Sequence, residues 1–143
     1  MTPVFDRGAL EEACECRAPG PPHLALYFVH DEYAALAADV FRGFTAVQRL
    51  LIVGNYFSPP GVAIPAGALA QLTGLAELGI ANVAHINATM FAGGRLMRLR
   101  SLTVSGFGRL DAYTFDELSS LEHVMQLYYY NPAAVDPDAL RGP

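Results

Sequence analysis

Leu69-Ala70-Gln71-Leu72-Thr73-Gly74-Leu75-Ala76-Glu77-Leu78-Gly79-Ile80 places an apolar residue at every third position as far as Leu78 and then at every second. A spacing of three carries an apolar stripe around one side of a tight helical or irregular turn, whereas a spacing of two puts alternate side chains on one face of a strand. The stretch therefore predicts a helix-like turn running into a short strand. The same switch occurs through Phe41, Phe44, Val47, Leu50 and Ile52, through Leu96, Leu99, Leu102 and Val104, and through Phe115, Leu118, Leu121 and Val124.

Working outward, the matching strand positions Leu50, Leu78, Leu102 and Val124 are 28, 24 and 22 residues apart. An earlier strand, Leu24-Ala25-Leu26, begins 26 residues before Leu50. A unit of this size cannot bury its apolar row alone, but it can stack on its neighbours. The predicted fold class is α/β: a curved solenoid with about four to five short parallel strands on the concave face and irregular or short helical returns on the convex face. It divides into an N-terminal flank at 1–23, the stacked units at 24–130, and a C-terminal flank or truncated unit at 131–143. Ser58-Pro59-Pro60-Gly61 and Gly93-Gly94-Arg95 are expected to bulge from the convex side.

These residues resemble the leucine-rich-repeat family, whose consensus runs L-x-x-L-x-L-x-x-N followed by an x-x-F-x-x-L return. The resemblance covers roughly Leu24 to Leu127. Ile64-Pro65-Ala66-Gly67-Ala68-Leu69 and Asp111-Ala112-Tyr113-Thr114-Phe115 are similar to the extracellular subclass found in Toll-like and Slit-like receptors. The chain departs from the family at the consensus Asn, which is present as Asn55 but replaced at the equivalent places by Val83, Phe107 and Tyr129. In the last strand, either Val124 and Gln126 or Met125 and Leu127 could face inward. The second register is preferred, because it avoids burying the Gln126 amide.

The 143 residues suffice for one domain, and the hydrophobic share of 52% is spread along the chain with no membrane-length apolar run. No membrane insertion is expected. A net charge of −5, with every base an Arg, argues against nucleic acid or an anionic lipid surface as partner. The only cysteines form Cys14-Glu15-Cys16, where a bridge between residues two apart is expected to be badly strained. Met1 to Arg7 shows no basic segment followed by an apolar one, so no secretory signal is read there.

The ends are the exposed parts of any such stack. Cys14-Glu15-Cys16-Arg17 resembles the middle of the family's four-cysteine N-terminal cap, with two cysteines missing. Asn131-Pro132 resembles the opening of the C-terminal cap, again without its cysteines. From this we expect either a fragment or self-association through the C-terminal edge.

Residues between the inward positions point from the concave strands: Ala25 and Tyr27; Arg49, Leu51 and Val53; Glu77, Gly79 and Ala81; Ser101, Thr103 and Ser105; then Gln126 and Tyr128. The small, apolar, charge-poor row is either a contact surface or the outcome of an Ala-rich composition. Tyr128-Tyr129-Tyr130 is either an interaction hot spot at the C-terminal rim or a cover for the last core row. The residues expected to bind a partner are Tyr27, Arg49, Leu51, Val53, Glu77, Thr103, Ser105, Tyr128 and Tyr130. Asn87-Ala88-Thr89 is a glycosylation sequon at Asn87.

Catalytic and metal readings are thin. Cys14, Cys16 and His23 supply three zinc-ligand types where a structural site wants four, and His30-Asp31-Glu32 reads as a solvated loop. Ser105 with His123 and Glu122 has no nucleophile-elbow motif around it. Gly106-Phe107-Gly108 lacks the third glycine of a dinucleotide site, and Arg95, Arg98 and Arg100 read as a solvated basic face. No catalytic residue, cofactor or metal is expected. The resemblance implies a non-catalytic binding module of extracellular receptor or adhesion type, glycosylated, whose partner is a protein ligand or co-receptor. The alternative is an intracellular, cytoplasmic scaffold.

Overall fold

The computed structural model describes residues 4–28, 33, 35–54, 62–83, 85–86, 88–91, 96–106, 109–110, 118 and 120–129. In chain order the elements are β1 (Val4–Phe5), α1 (Arg7–Cys14), β2 (His23–Tyr27), β3 (Ala35–Leu36), β4 (Arg49–Val53), β5 (Glu77–Ala81), β6 (His85–Ile86), β7 (Ser101–Gly106), β8 (Arg109–Leu110) and β9 (His123–Tyr129). Short 3₁₀ turns occupy Leu69–Gln71 and Ala88–Phe91, and they touch each other. The chain is α/β with parallel strands.

Five of these strands form the main sheet in the order β2-β4-β5-β7-β9, each parallel to its neighbour. The register aligns Leu24, Leu50, Leu78, Leu102 and Val124 in one row across all five strands. Leu50, Leu78 and Leu102 are fully buried, at 0%, 3% and 1% exposure. Alternation does this: Arg49-Leu50-Leu51-Ile52-Val53 and Glu77-Leu78-Gly79-Ile80-Ala81 bury every second side chain and leave the others half-buried or exposed.

The spacing of three has an equally direct cause. The N–H of each later residue donates to the carbonyl of the one three before it, from Phe44 to Phe41, Leu72 to Leu69, Leu75 to Leu72, Leu99 to Leu96 and Leu121 to Leu118. Tight turns of this kind bring side chains three apart onto one side, and Phe41, Phe44, Val47, Leu69, Leu72, Leu75 and Leu99 are wholly buried there. At the entries to β4, β5, β7 and β9 one carbonyl accepts two successive N–H groups: Pro22 O from Gln48 and Arg49, Gln48 O from Ala76 and Glu77, Ala76 O from Arg100 and Ser101, and Arg100 O from Glu122 and His123.

On the return side β1 pairs with β3 and β6 with β8, both parallel, while single bridges join Ala35 to Ala63 and Val62 to Val83. Where the chain leaves β4, Gly54 N–H donates to Ala81 O, and a Cβ on Gly54 would stand 2.0 Å from Asn82 O. Only glycine fits that approach. Asn82 itself is buried with φ 56°, and neither its Oδ1 nor its Nδ2 has a hydrogen-bond partner among the described residues.

Two expectations are corrected. Cys14 and Cys16 are joined in a disulfide. An extended Cys-x-Cys segment would hold them apart, but α1 ends at Cys14 and Glu15 adopts the left-handed conformation (φ 52°, ψ 43°), its N–H bonding back to Glu11 O. That fold-back brings the two Cα atoms to 5.2 Å, within the ordinary span of a disulfide. The second correction concerns the last strand, where Val124 and Gln126 align with the inward positions Leu102 and Val104. The preferred register does not hold at Met125, which aligns with the outward position Thr103. Past Val104 the ladder shifts by one residue, so that Tyr129 aligns with Gly106. A bulge of this kind changes which residues share a face within a single strand.

Candidate functional site

One face of the main sheet packs on the core; the other carries three cross-strand rows. His23, Arg49, Glu77, Ser101 and His123 align in the first row, at the strand entries. Ala25, Leu51, Gly79 and Thr103 align in the second, and Tyr27, Val53, Ala81 and Ser105 in the third. Parallel pairing without offset is what turns residues 28, 24 and 22 apart in the chain into neighbours on one surface. Arg49, Leu51, Glu77, Thr103 and Ser105 line a shallow groove of about 450 Å³ together with Gly79, Ala81 and Ser101. Val53 continues the third row beside Ala81, and Tyr27, 61% exposed, ends that row on the outermost strand.

The first row is polar. Arg49 Nε donates to Glu77 Oε2 across the β4–β5 pair, with both side chains well exposed. The second row is low, and apolar from Ala25 to Gly79. A Cβ on Gly79 would lie 2.9 Å from Leu51 Cδ1, so the Leu51 methyl already occupies the space above the glycine. The groove thus grades from an ion pair at the strand entries, across a flat strip, to the hydroxyls of Thr103 and Ser105. Such a surface can hold an amphipathic segment of a partner by shape and apolar contact.

The described residues do not bring Ser105 to His123. The register aligns His123 with Ser101, leaving Ser105 four residues further along, about 13 Å at the rise of a strand. Among the described residues no group of three or more His, Cys, Asp or Glu side chains converges. No helix among them is long and apolar enough to cross a membrane. Arg98 and Arg100 are exposed.

Tyr128 lies in β9, but Tyr130 and Asn87 fall outside the described residues, as do Arg95, Asn55, Phe107, Asp111 to Phe115, His30 to Glu32 and the two expected bulges. Sequence reading missed a second concave feature, a cleft of about 510 Å³ between α1 and β2, lined among others by Phe5, Glu12, Tyr27, Phe28 and Tyr33. The helix that forms one wall of it did leave a signal. Asp6 caps α1 by accepting from Ala9 N at 2.9 Å, and Asp6 followed by the helix-favouring Ala9-Leu10-Glu11-Glu12-Ala13 is a helix start.

Comparison of the chain with protein-family models, with curated proteins and with solved structures finds no match.

Proposed function

We propose that the chain is a leucine-rich-repeat solenoid serving as a non-catalytic, extracellular binding module of receptor or adhesion type, with the open face of its parallel sheet holding a protein ligand or co-receptor. The observation that carries this reading is the groove on that face, where Leu51 and Gly79 form a low apolar strip between the Arg49–Glu77 pair and the hydroxyls of Thr103 and Ser105. Three further observations support it. The strand order follows the chain order, the same two-donor hydrogen bond recurs at the entries to β4, β5, β7 and β9, and the Leu24–Leu50–Leu78–Leu102 row is continuous. Stacked units bury one face and leave the alternate residues free, which is how such scaffolds obtain extended binding surfaces. The Cys14–Cys16 disulfide suits an oxidising compartment. A glycan on Asn87 and contacts from Tyr128 and Tyr130 at the C-terminal rim belong to the same reading.

A photo-crosslinking amino acid placed at Thr103, with a second placed at exposed Met97 as control, tests it on cells displaying the protein. The expected result is a protein adduct specific to position 103 that disappears in the Leu51→Arg variant and forms with an Asn87-glycosylated chain. Adducts formed equally from positions 97 and 103, or unaffected by Leu51→Arg, would overturn the open-face reading.

A further inference from the structure

β2 is the outermost strand of the main sheet, so among the described residues one of its two edges lacks a strand partner. Two bonds fix which backbone groups lie on that edge: Phe28 N–H donates to Val53 O at 2.8 Å, and Arg49 N–H donates to Pro22 O at 3.0 Å. In a parallel ladder alternate residues turn both their N–H and C=O to the same side. Leu24, Leu26 and Phe28 therefore turn theirs toward β4, and His23, Ala25 and Tyr27 turn theirs outward.

The cleft beside α1 lies along this edge. Its lining includes the four consecutive residues Ala25, Leu26, Tyr27 and Phe28. Successive side chains of a strand go to opposite faces, so a cavity touching all four meets the strand at its edge. The rings of Phe5, Phe28 and Tyr33 gather at the same cleft, edge to face, with centroids 5.0 Å apart for Phe5–Phe28 and Phe5–Tyr33. Glu12, exposed on α1, is the one charged side chain among the described lining residues.

We propose that this cleft binds an extended peptide, which joins the β2 edge as an additional strand and places a basic side chain opposite Glu12 and an apolar one against the three-ring cluster. The outward N–H and C=O groups of Ala25 and Tyr27 select the occupant. A small apolar ligand would cover them without satisfying them, which is costly, whereas an extended backbone supplies donors and acceptors at the matching spacing. Uncompensated Glu12 supplies the charge preference. This site shares Ala25 and Tyr27 with the open-face rows but lies outside the groove around Leu51 and Gly79, so loss of peptide binding in Glu12→Arg would leave the open-face reading untouched.

The test uses the whole chain and a fluorescein-labelled synthetic peptide of alternating Thr and Val with one central Phe and one Arg. Fluorescence anisotropy is expected to give saturable binding that is lost when alternate peptide nitrogens are methylated. Glu12→Arg is expected to weaken it at least about tenfold, in keeping with loss of a charge-assisted contact. Ala25→Pro removes the outward N–H while sparing the β4 ladder, and is expected to abolish it. Should Ala25→Pro not fold, Glu12→Arg and the methylated peptide carry the test. Equal binding of methylated and unmethylated peptide, or insensitivity to Glu12→Arg, overturns the proposal. A concentration-dependent dimer in sedimentation that excludes the peptide also overturns it, assigning the edge to a second copy of the chain.

Discussion

The two faces of the main sheet are built from the same strands and differ in what each asks of its side chains. On the inner face Leu50, Ile52, Leu78, Ile80, Leu102 and Val104 are large, branched and buried. On the outer face Leu51, Val53, Gly79, Ala81, Thr103 and Ser105 are mostly smaller and partly open to solvent. One-residue steps along the chain thus separate the positions that hold the fold from those free to meet a partner. Burial of a leucine-sized side chain is worth about 2–3 kcal/mol, so the inner row dominates stability.

The sharpest way to break this comparison is a pair of neighbouring truncations. Leu50→Ala is expected to destabilise the chain by about 3–5 kcal/mol, because the packed row cannot close around the lost methyls. Leu51→Ala, one residue away, is expected to cost less than about 1 kcal/mol. Urea unfolding with matched m-values checks both. Similar losses for the two would mean that the outer face is packed against something and is not a free surface.

A smaller contrast comes from two glycines. An alanine Cβ at Gly54 meets the Asn82 carbonyl at 2.0 Å, a backbone atom that cannot move without displacing the chain after β5. At Gly79 it meets only the end of the Leu51 side chain, at 2.9 Å, which can rotate away. Gly54→Ala is expected to cost about 2–4 kcal/mol and Gly79→Ala less than about 1 kcal/mol, the latter partly offset by the reduced entropy of the unfolded chain. Thermal unfolding of the two variants is the check. The Gly79 variant should still alter the floor of the groove, and under the proposed open-face reading it reduces partner binding.

Much of the main sheet was legible in the sequence because its determinants are periodic and local. The change from a spacing of three to a spacing of two located Leu50, Leu78 and Leu102 in one register, and the 26-residue step back from Leu50 added Leu24. Arg49, Leu51, Glu77, Thr103 and Ser105 followed from the same alternation. What periodicity could not carry was geometry set by single residues. The left-handed Glu15 brings Cys14 to Cys16, and one shifted residue after Val104 changes the alignment of β9; neither leaves a trace in the apolar pattern. The cleft beside α1 was missed for a different reason. It joins Phe5 and Glu12 to Phe28 across most of the N-terminal flank, and only tertiary packing reveals that juxtaposition.

The smallest expected effect tests whether the polar row at the strand entries belongs to the fold or to the surface. Arg49 and Glu77 pair across β4 and β5 with side chains 57% and 37% exposed, so water and salt screen much of their attraction. A double-mutant cycle with Arg49→Ala and Glu77→Ala is expected to give a coupling of at most about 0.5 kcal/mol, vanishing in high salt. Under the proposed open-face reading the same two variants have a larger effect on partner capture, because a bound protein would exclude water and leave any broken charge pair to be desolvated. A coupling well above 1 kcal/mol in the free chain would instead place the pair among the groups that hold the sheet together.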